Sequence, residues 1–148
     1  MTTGHRTALL DVNVLIALAW PNHAHHGAAH RWFDGEGRTT WATTPFTESG
    51  FVRVSSNRAA IPTATSPVLA LELLTAMTAI DGHEFWVDDV AMVTAGLGDA
   101  RLLSKHRDVS DAHLLALAER RGGVLVTFDA HLTRLLGARP AELVSILR

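Results

Sequence analysis

The chain has no cysteine among its 148 residues. That removes disulfides, thiolate metal sites and cysteine nucleophiles together, and it fits a reducing, cytoplasmic location. Charged residues make up only 19% of the sequence, and the formal net charge is −2 at neutral pH. A protein that grips nucleic acid through global charge would be basic, so any contact with a polyanion has to be local. No apolar run approaches the roughly 20 residues that a membrane-spanning helix needs. The first such run, 14–20, has no basic stretch directly before it and no small-residue cleavage site after it, so neither a leader nor an anchor is expected. A Walker A loop, a G-x-S-x-G elbow and an HExxH helix are missing as well. Gly96-Leu97-Gly98 meets Arg101 where a dinucleotide fingerprint needs its third glycine. No period of about 20–50 residues repeats. The Pro/Thr/Ala/Ser stretch 62–67 is too short to serve as an interdomain linker, so one domain over 1–148 is expected.

Present in abundance are apolar residues, at 47% of the chain, which argues against disorder. Short apolar runs alternate with stretches of helical length. Strands are expected at 7–10, 39–43, 84–87, 124–128 and 143–147. Helices are expected at 12–20, stopped by Pro21, and at 23–36, closed by Gly35 and Gly37. Another follows the Thr44-Pro45 cap as far as residue 56, and one starts at Ser66-Pro67. Residues 90–97 read as helical, 98–108 as a basic connection, and Ser110 as the cap of a helix reaching Arg121, stopped by Gly122-Gly123. A short helix is expected up to Leu136. Alternation of this kind predicts an α/β fold with a mostly parallel sheet, whose function lies beyond the carboxyl ends of the strands.

Carboxylates fall at that edge. Asp11 and Asp129 each follow the apolar run of a predicted central strand. Glu48 lies in the first turns after the Thr44-Pro45 cap, and Asp111 is expected in the first turn behind Ser110. Taken singly, each also reads as a cap, a turn former or a dipole-complementing residue. Four acids in one cleft would repel one another, and a divalent cation relieves that repulsion. An all-oxygen donor set without cysteine favours Mg²⁺ or Mn²⁺ over zinc, which suits phosphodiester hydrolysis.

The contexts of these acids carry a family resemblance. Leu9-Leu10-Asp11-Val12-Asn13-Val14-Leu15-Ile16 resembles the opening motif of PIN domains, and Thr47-Glu48-Ser49-Gly50-Phe51-Val52-Arg53 the second. Val109-Ser110-Asp111-Ala112-His113-Leu114-Leu115-Ala116-Leu117-Ala118 resembles the third, and Val126-Thr127-Phe128-Asp129 the fourth. In order, spacing and total length the chain is similar to the VapC-type toxins of bacterial toxin–antitoxin pairs. The resemblance implies an α/β/α sandwich with four to five strands and a Mg²⁺- or Mn²⁺-dependent endoribonuclease that blocks translation by cutting transfer or ribosomal RNA, leaving 5′-phosphate and 3′-hydroxyl ends. It implies Asp11, Glu48, Asp111 and Asp129 as metal ligands and catalytic acids, with Asn13 and Thr127 supporting them through hydrogen bonds. It also implies a VapB-like antitoxin partner and a homodimer. Relatives with a further acid beside the last aspartate differ from this chain, where Phe128, Ala130 and His131 surround Asp129. One ion or two is therefore left open.

Other residues have a functional and a plain reading. Arg101, Lys105, His106 and Arg107 can hold RNA phosphates or form a solvated loop, and Arg53 and Arg58 can do the same beyond Glu48. His26, His30 and Asp34 stand one turn apart, a spacing that can bind metal, though a polar surface helix accounts for it better. His113 can approach Asp111 or simply pack. Trp32, Phe33, Trp41 and Trp86 read as core or interface anchors. Two other functions fit some of the pattern. A haloacid-dehalogenase-like phosphatase also places Asp and Mg²⁺ after its first strand, but it requires an acid where this chain has Asn13. A catalytically silent PIN-like domain that binds RNA or protein would commonly lack some of the acids kept here.

Overall fold

Parallel strands buried on both faces carry apolar side chains throughout; Ala8–Leu10 does so at every position, and Trp41–Thr43 and Val124–Thr127 do so up to the threonine that ends each. In the computed structural model, which describes residues 6–93 and 98–148, β1 is Ala8–Leu10 and β4 is Val124–Thr127. With β2 (Trp41–Thr43), β3 (His83–Phe85) and β5 (Val144–Ile146) they form one sheet in the order β3-β2-β1-β4-β5, every pair parallel. Along β1, Leu9 joins one apolar cluster while Ala8 and Leu10 join the other; along β4, Leu125 and Val126 divide the same way.

Helices cover both faces, as the sequence led us to expect. On the first face α5 (His106–Arg120) packs Leu114, Leu115, Leu117 and Ala118 against Leu9 and Leu125. On the second, α1 (Val12–Ala19) brings Val14, Leu15 and Ile16, α3 (Pro45–Ser55) brings Phe51, and α4 (Pro67–Thr78) brings Leu74. Trp41 and Phe33 pack edge to face there, with ring centroids 5.5 Å apart. Each buried Leu, Phe or Val contributes about 1.5–3 kcal/mol of transfer free energy, so these layers hold the sheet edge in place.

Several expected boundaries move. The second helix is α2 (His26–Trp32), and it runs on into a π-helical turn, Phe33–Gly37, so Gly35 lies inside the turn and does not end it. Ser110 does not cap α5. The helix starts at His106, and Asp108 supplies the cap: its Oδ2 accepts from the backbone N–H groups of Ser104 and Lys105, both at 2.9 Å. Asp111 consequently sits in the second turn. A charged residue three positions into a helix satisfies orphan amides better than a serine already inside it. The segment after β4 is a 3₁₀ run, Ala130–Leu135. Residues 90–93 are not helical, and the rest of the expected 90–97 helix lies outside the described residues.

Two adjacent glycines feed β4 for different reasons. Gly122 has φ +66° with open space around it, whereas a Cβ on Gly123 would meet the Thr7 carbonyl oxygen and the Trp86 ring at 2.5 Å. Gly122→Ala should therefore cost about 1 kcal/mol from backbone strain. Gly123→Ala should cost more, about 2–3 kcal/mol, because neither the Thr7 backbone nor a buried indole can yield easily. Urea unfolding midpoints of the two variants check the ranking.

Candidate active site

The strand order reverses direction between β1 and β4, since β2 and β3 extend from one side of β1 while β4 and β5 extend from the other. A crevice forms beyond the carboxyl ends of strands at such a point. Asp11 follows β1 and Asp129 follows β4, so both stand there.

Asp11 is fixed twice over. It caps α1, with Oδ1 accepting from Val12 N–H at 2.7 Å, and its Oδ2 accepts from the Thr127 hydroxyl at 2.8 Å. The cap that the sequence offered as a plain alternative is therefore real, and it leaves the second oxygen to the Thr127 hydroxyl. Thr127 is fully buried. Its hydroxyl oxygen accepts from the Asn13 side-chain amide at 3.1 Å and from Asp129 N–H at 3.1 Å. Asn13 turns its own oxygen to Phe128 N–H at 3.2 Å. Asn13 is thus committed to bracing the β4 end, which is unlike the proton-transferring acid a phosphatase would need there. Asp129 in turn accepts from His131 N–H at 2.9 Å.

Burial is the first cause that raises the Asp11 carboxyl above its ordinary range; the bonds from Thr127 and Val12 oppose it, and the Asp129 charge adds to it. Asp111 reaches in from α5. Its carboxyl is pushed up to about 6, by burial first and then by Asp11, Asp129 and Asp108, with Arg107 pulling slightly the other way. Three aspartates from three elements therefore share one electrostatic environment, and none of the ion pairs among the described residues involves them. Among the described residues no three acidic or imidazole side chains are already drawn together as a metal-binding group.

Glu48 is not among the charges that raise Asp11 or Asp111. It projects from α3, takes a 2.7 Å hydrogen bond from the buried Thr43 hydroxyl at the end of β2, and faces a groove of about 570 Å³ between α3 and α4 lined also by Arg53, Pro67 and Leu71. β2 neighbours β1, so Glu48 lies at the same sheet edge, one strand over.

The basic segment divides. Lys105 and Arg107 line a cavity of about 90 Å³ together with Asp111, Asp129, His131 and Arg134. Arg101 instead pairs with Asp99 at 3.0 Å out in solvent. Arg134 is held by Asp108. His113 does not turn to Asp111; it pairs with Asp88 at 2.8 Å. His26 and His30 each bond a carbonyl of α1, Ala17 and Leu18, at 2.8 Å, so the pair fastens α2 to α1. Trp41, Trp86 and Phe33 are core residues. The sequence did not single out Thr43 or His83. Thr43 had a readable signal, because it ends its strand just before an acid-bearing segment, as Thr127 does.

A model of the PIN domain family matches residues 8–136. The chain is 55% identical over 141 residues to Ribonuclease VapC39 of Mycobacterium tuberculosis, covering 95% of this chain and 99% of that protein. It is 48% identical to Ribonuclease VapC38 of the same organism, covering 95% and 97%. Among solved structures, VapBC2 from Rickettsia felis, crystallised with a DNA fragment from its promoter, superposes with a TM-score of 0.60 at 13% identity, covering 96% of this chain and 99% of that one. PAE2754 from Pyrobaculum aerophilum gives 0.54 at 22% identity, covering 97% and 92%. At those identities the two structures speak for the fold alone.

The raised Asp111 carboxyl has a consequence for stability. Its folded pKa exceeds its unfolded one, so raising the pH from about 4 through 6 deprotonates the unfolded chain first and destabilises the fold. Without divalent cations, Asp111→Asn should melt about 3 °C above the wild type at pH 7.5, roughly 1 kcal/mol, and no higher than it at pH 4. Melting curves in EDTA at both pH values check this, and a variant less stable at pH 7.5 contradicts it.

Proposed function

The chain belongs to the PIN domain family, as an endoribonuclease of the VapC toxin type, and from that premise we propose that Asp11, Asp111 and Asp129 form the carboxylate core of its active site, with Glu48 flanking them. The observation that carries the proposal is the gathering at the topological switch point of Asp11 and Asp129, which follow β1 and β4, with Asp111 of α5, whose carboxyl both of them raise. Such a cluster, without a paired cationic side chain, is the environment that a divalent cation neutralises.

The donors suit Mg²⁺ or Mn²⁺. Asp11, Asp111 and Asp129 offer carboxylate oxygens, and Asn13 and Thr127 hold two of these acids in place by hydrogen bonds. When bound, such an ion offsets the charge of the carboxylates and the phosphate and acidifies water. The chain's own residues do the positioning. Thr127 orients Asp11, and Asn13 fixes the turn that carries Asp129. Lys105 and Arg107, on the wall of the cavity that contains Asp111 and Asp129, hold phosphates next to the one being cut. Arg101 has a weaker claim to that role, since its guanidinium is taken up by Asp99. Water attacks the scissile phosphorus, the 3′ oxygen leaves, and the products carry 5′-phosphate and 3′-hydroxyl ends. No side chain becomes covalently attached.

The substrate is a structured RNA, a transfer or ribosomal RNA, cut at a single-stranded loop whose bases can splay out. The partner is a VapB-like antitoxin. Exposed apolar side chains on α4 and around β3, among them Val68, Leu71, Phe85 and Val87, support protein contacts on that side, for the antitoxin or a second copy of the chain. Among the described residues no helix is long and apolar enough to cross a membrane.

Sequencing of cleaved ends from total RNA, with and without Mg²⁺, tests the proposal. Wild type should produce discrete cuts that need the metal, and Asp11→Asn or Asp129→Asn should lower cutting by about 100-fold or more while the fold is kept. Equal cutting by wild type and Asp11→Asn would end it.

A further inference from the structure

We infer that His83 is a positioning residue for Glu48, acting through the hydroxyl of Thr43; this rests on the proposal that Glu48 flanks the cation-holding set. The Thr43 hydroxyl lies 2.7 Å from Glu48 Oε2 and 2.7 Å from His83 Nε2. Thr43 is fully buried and ends β2, so neither contact is a surface accident. The hydroxyl has one proton, and a carboxylate can only accept. That proton therefore goes to Glu48, and the bond to the imidazole runs the other way, with His83 Nε2–H donating to the Thr43 oxygen. The opposite tautomer would set two unshared lone pairs against each other across one of these short contacts.

The donor chain has a fixed direction: His83 to Thr43 to Glu48. Its first member is braced in turn, since the His83 ring packs against the buried Trp41 with centroids 4.7 Å apart. Glu48 is half-buried on the flank of α3 and touches the open groove, where a long side chain would otherwise sample several rotamers. The relay ends that freedom. A hydroxyl with both partners in place cannot rotate away, and the carboxylate that takes its proton stays at the sheet edge beside β1. Outer partners of this kind typically change metal affinity by about 10–100-fold when removed.

Direct Mn²⁺ binding by the full chain, followed by electron paramagnetic resonance, is the test, with RNA cleavage read alongside. His83→Phe keeps the packing on Trp41 and deletes the donor; it should weaken Mn²⁺ binding by about 10-fold with little change in melting temperature. Thr43→Val should weaken binding similarly, the double variant should be no worse than Thr43→Val alone, and Thr43→Ser should restore wild-type binding. His83→Gln, which offers an N–H in place of the imidazole, covers the case in which the phenylalanine disturbs β3, and it should bind more tightly than His83→Phe. Wild-type Mn²⁺ affinity in His83→Phe, with Glu48→Gln impaired, overturns the relay and leaves the site intact. Wild-type affinity in Glu48→Gln overturns the relay together with the role given to Glu48.

Discussion

Like charge gathered at the carboxyl edge of a parallel sheet is the constraint on which this structure depends. Asp11, Asp111 and Asp129 come from distant stretches of the chain; Asp11 and Asp129 make ionisation of Asp111 harder, and Asp129 does the same to Asp11. The fold tolerates this because two apolar layers lock the strands, and because backbone and hydroxyl donors serve the carboxylates: Val12 N–H and Thr127 for Asp11, His131 N–H for Asp129. Those donors fix direction without removing charge. What they leave uncompensated is net negative charge at the switch point, the feature on which the proposed cation site rests.

Two strand ends use the same device. Thr127 ends β4 and donates a hydrogen bond to Asp11; Thr43 ends β2 and donates one to Glu48. Both threonines are fully buried, and both are β-branched residues that suit a strand while carrying a donor to its tip. The two acids served lie one strand apart, and the two threonines stand on either side of β1. This arrangement explains how a chain of net negative charge can act on RNA. In the proposed function its basic groups need not dominate the surface: Lys105 and Arg107 stand at one cavity wall, and a bound cation would supply the rest of the attraction.

Much of this was legible in the sequence, for physical reasons. Dense apolar runs before Asp11 and Asp129 marked central parallel strands, and the crossover topology then placed both acids at one edge. Ser66-Pro67 and Thr44-Pro45 marked helix starts correctly because the proline ring presets the first helical φ. The start of α5 was misread. Ser110 looked like a cap, but Asp108, held by two amides and Arg134, captures the helix one turn earlier. Arg134, which lies 26 residues away, pairs with the other oxygen of Asp108 and carries no local signal. Glu48 was expected among the aspartates because it follows β2 as they follow β1 and β4. It follows β2, one strand over, and its bond to Thr43 links it to His83, which reaches the same hydroxyl from the neighbouring β3. Spacing along a chain shows which edge a side chain reaches, not which neighbour it chooses there.

The central claim is that this cluster of aspartates is a cation site. Crystals soaked in Mn²⁺ and measured for its anomalous scattering test that most directly. The account predicts a peak in contact with Asp11, Asp111 and Asp129 that vanishes in Asp11→Asn. Saturating Mn²⁺ with no peak between them, or with the only ordered ion at His26 and His30, would contradict it.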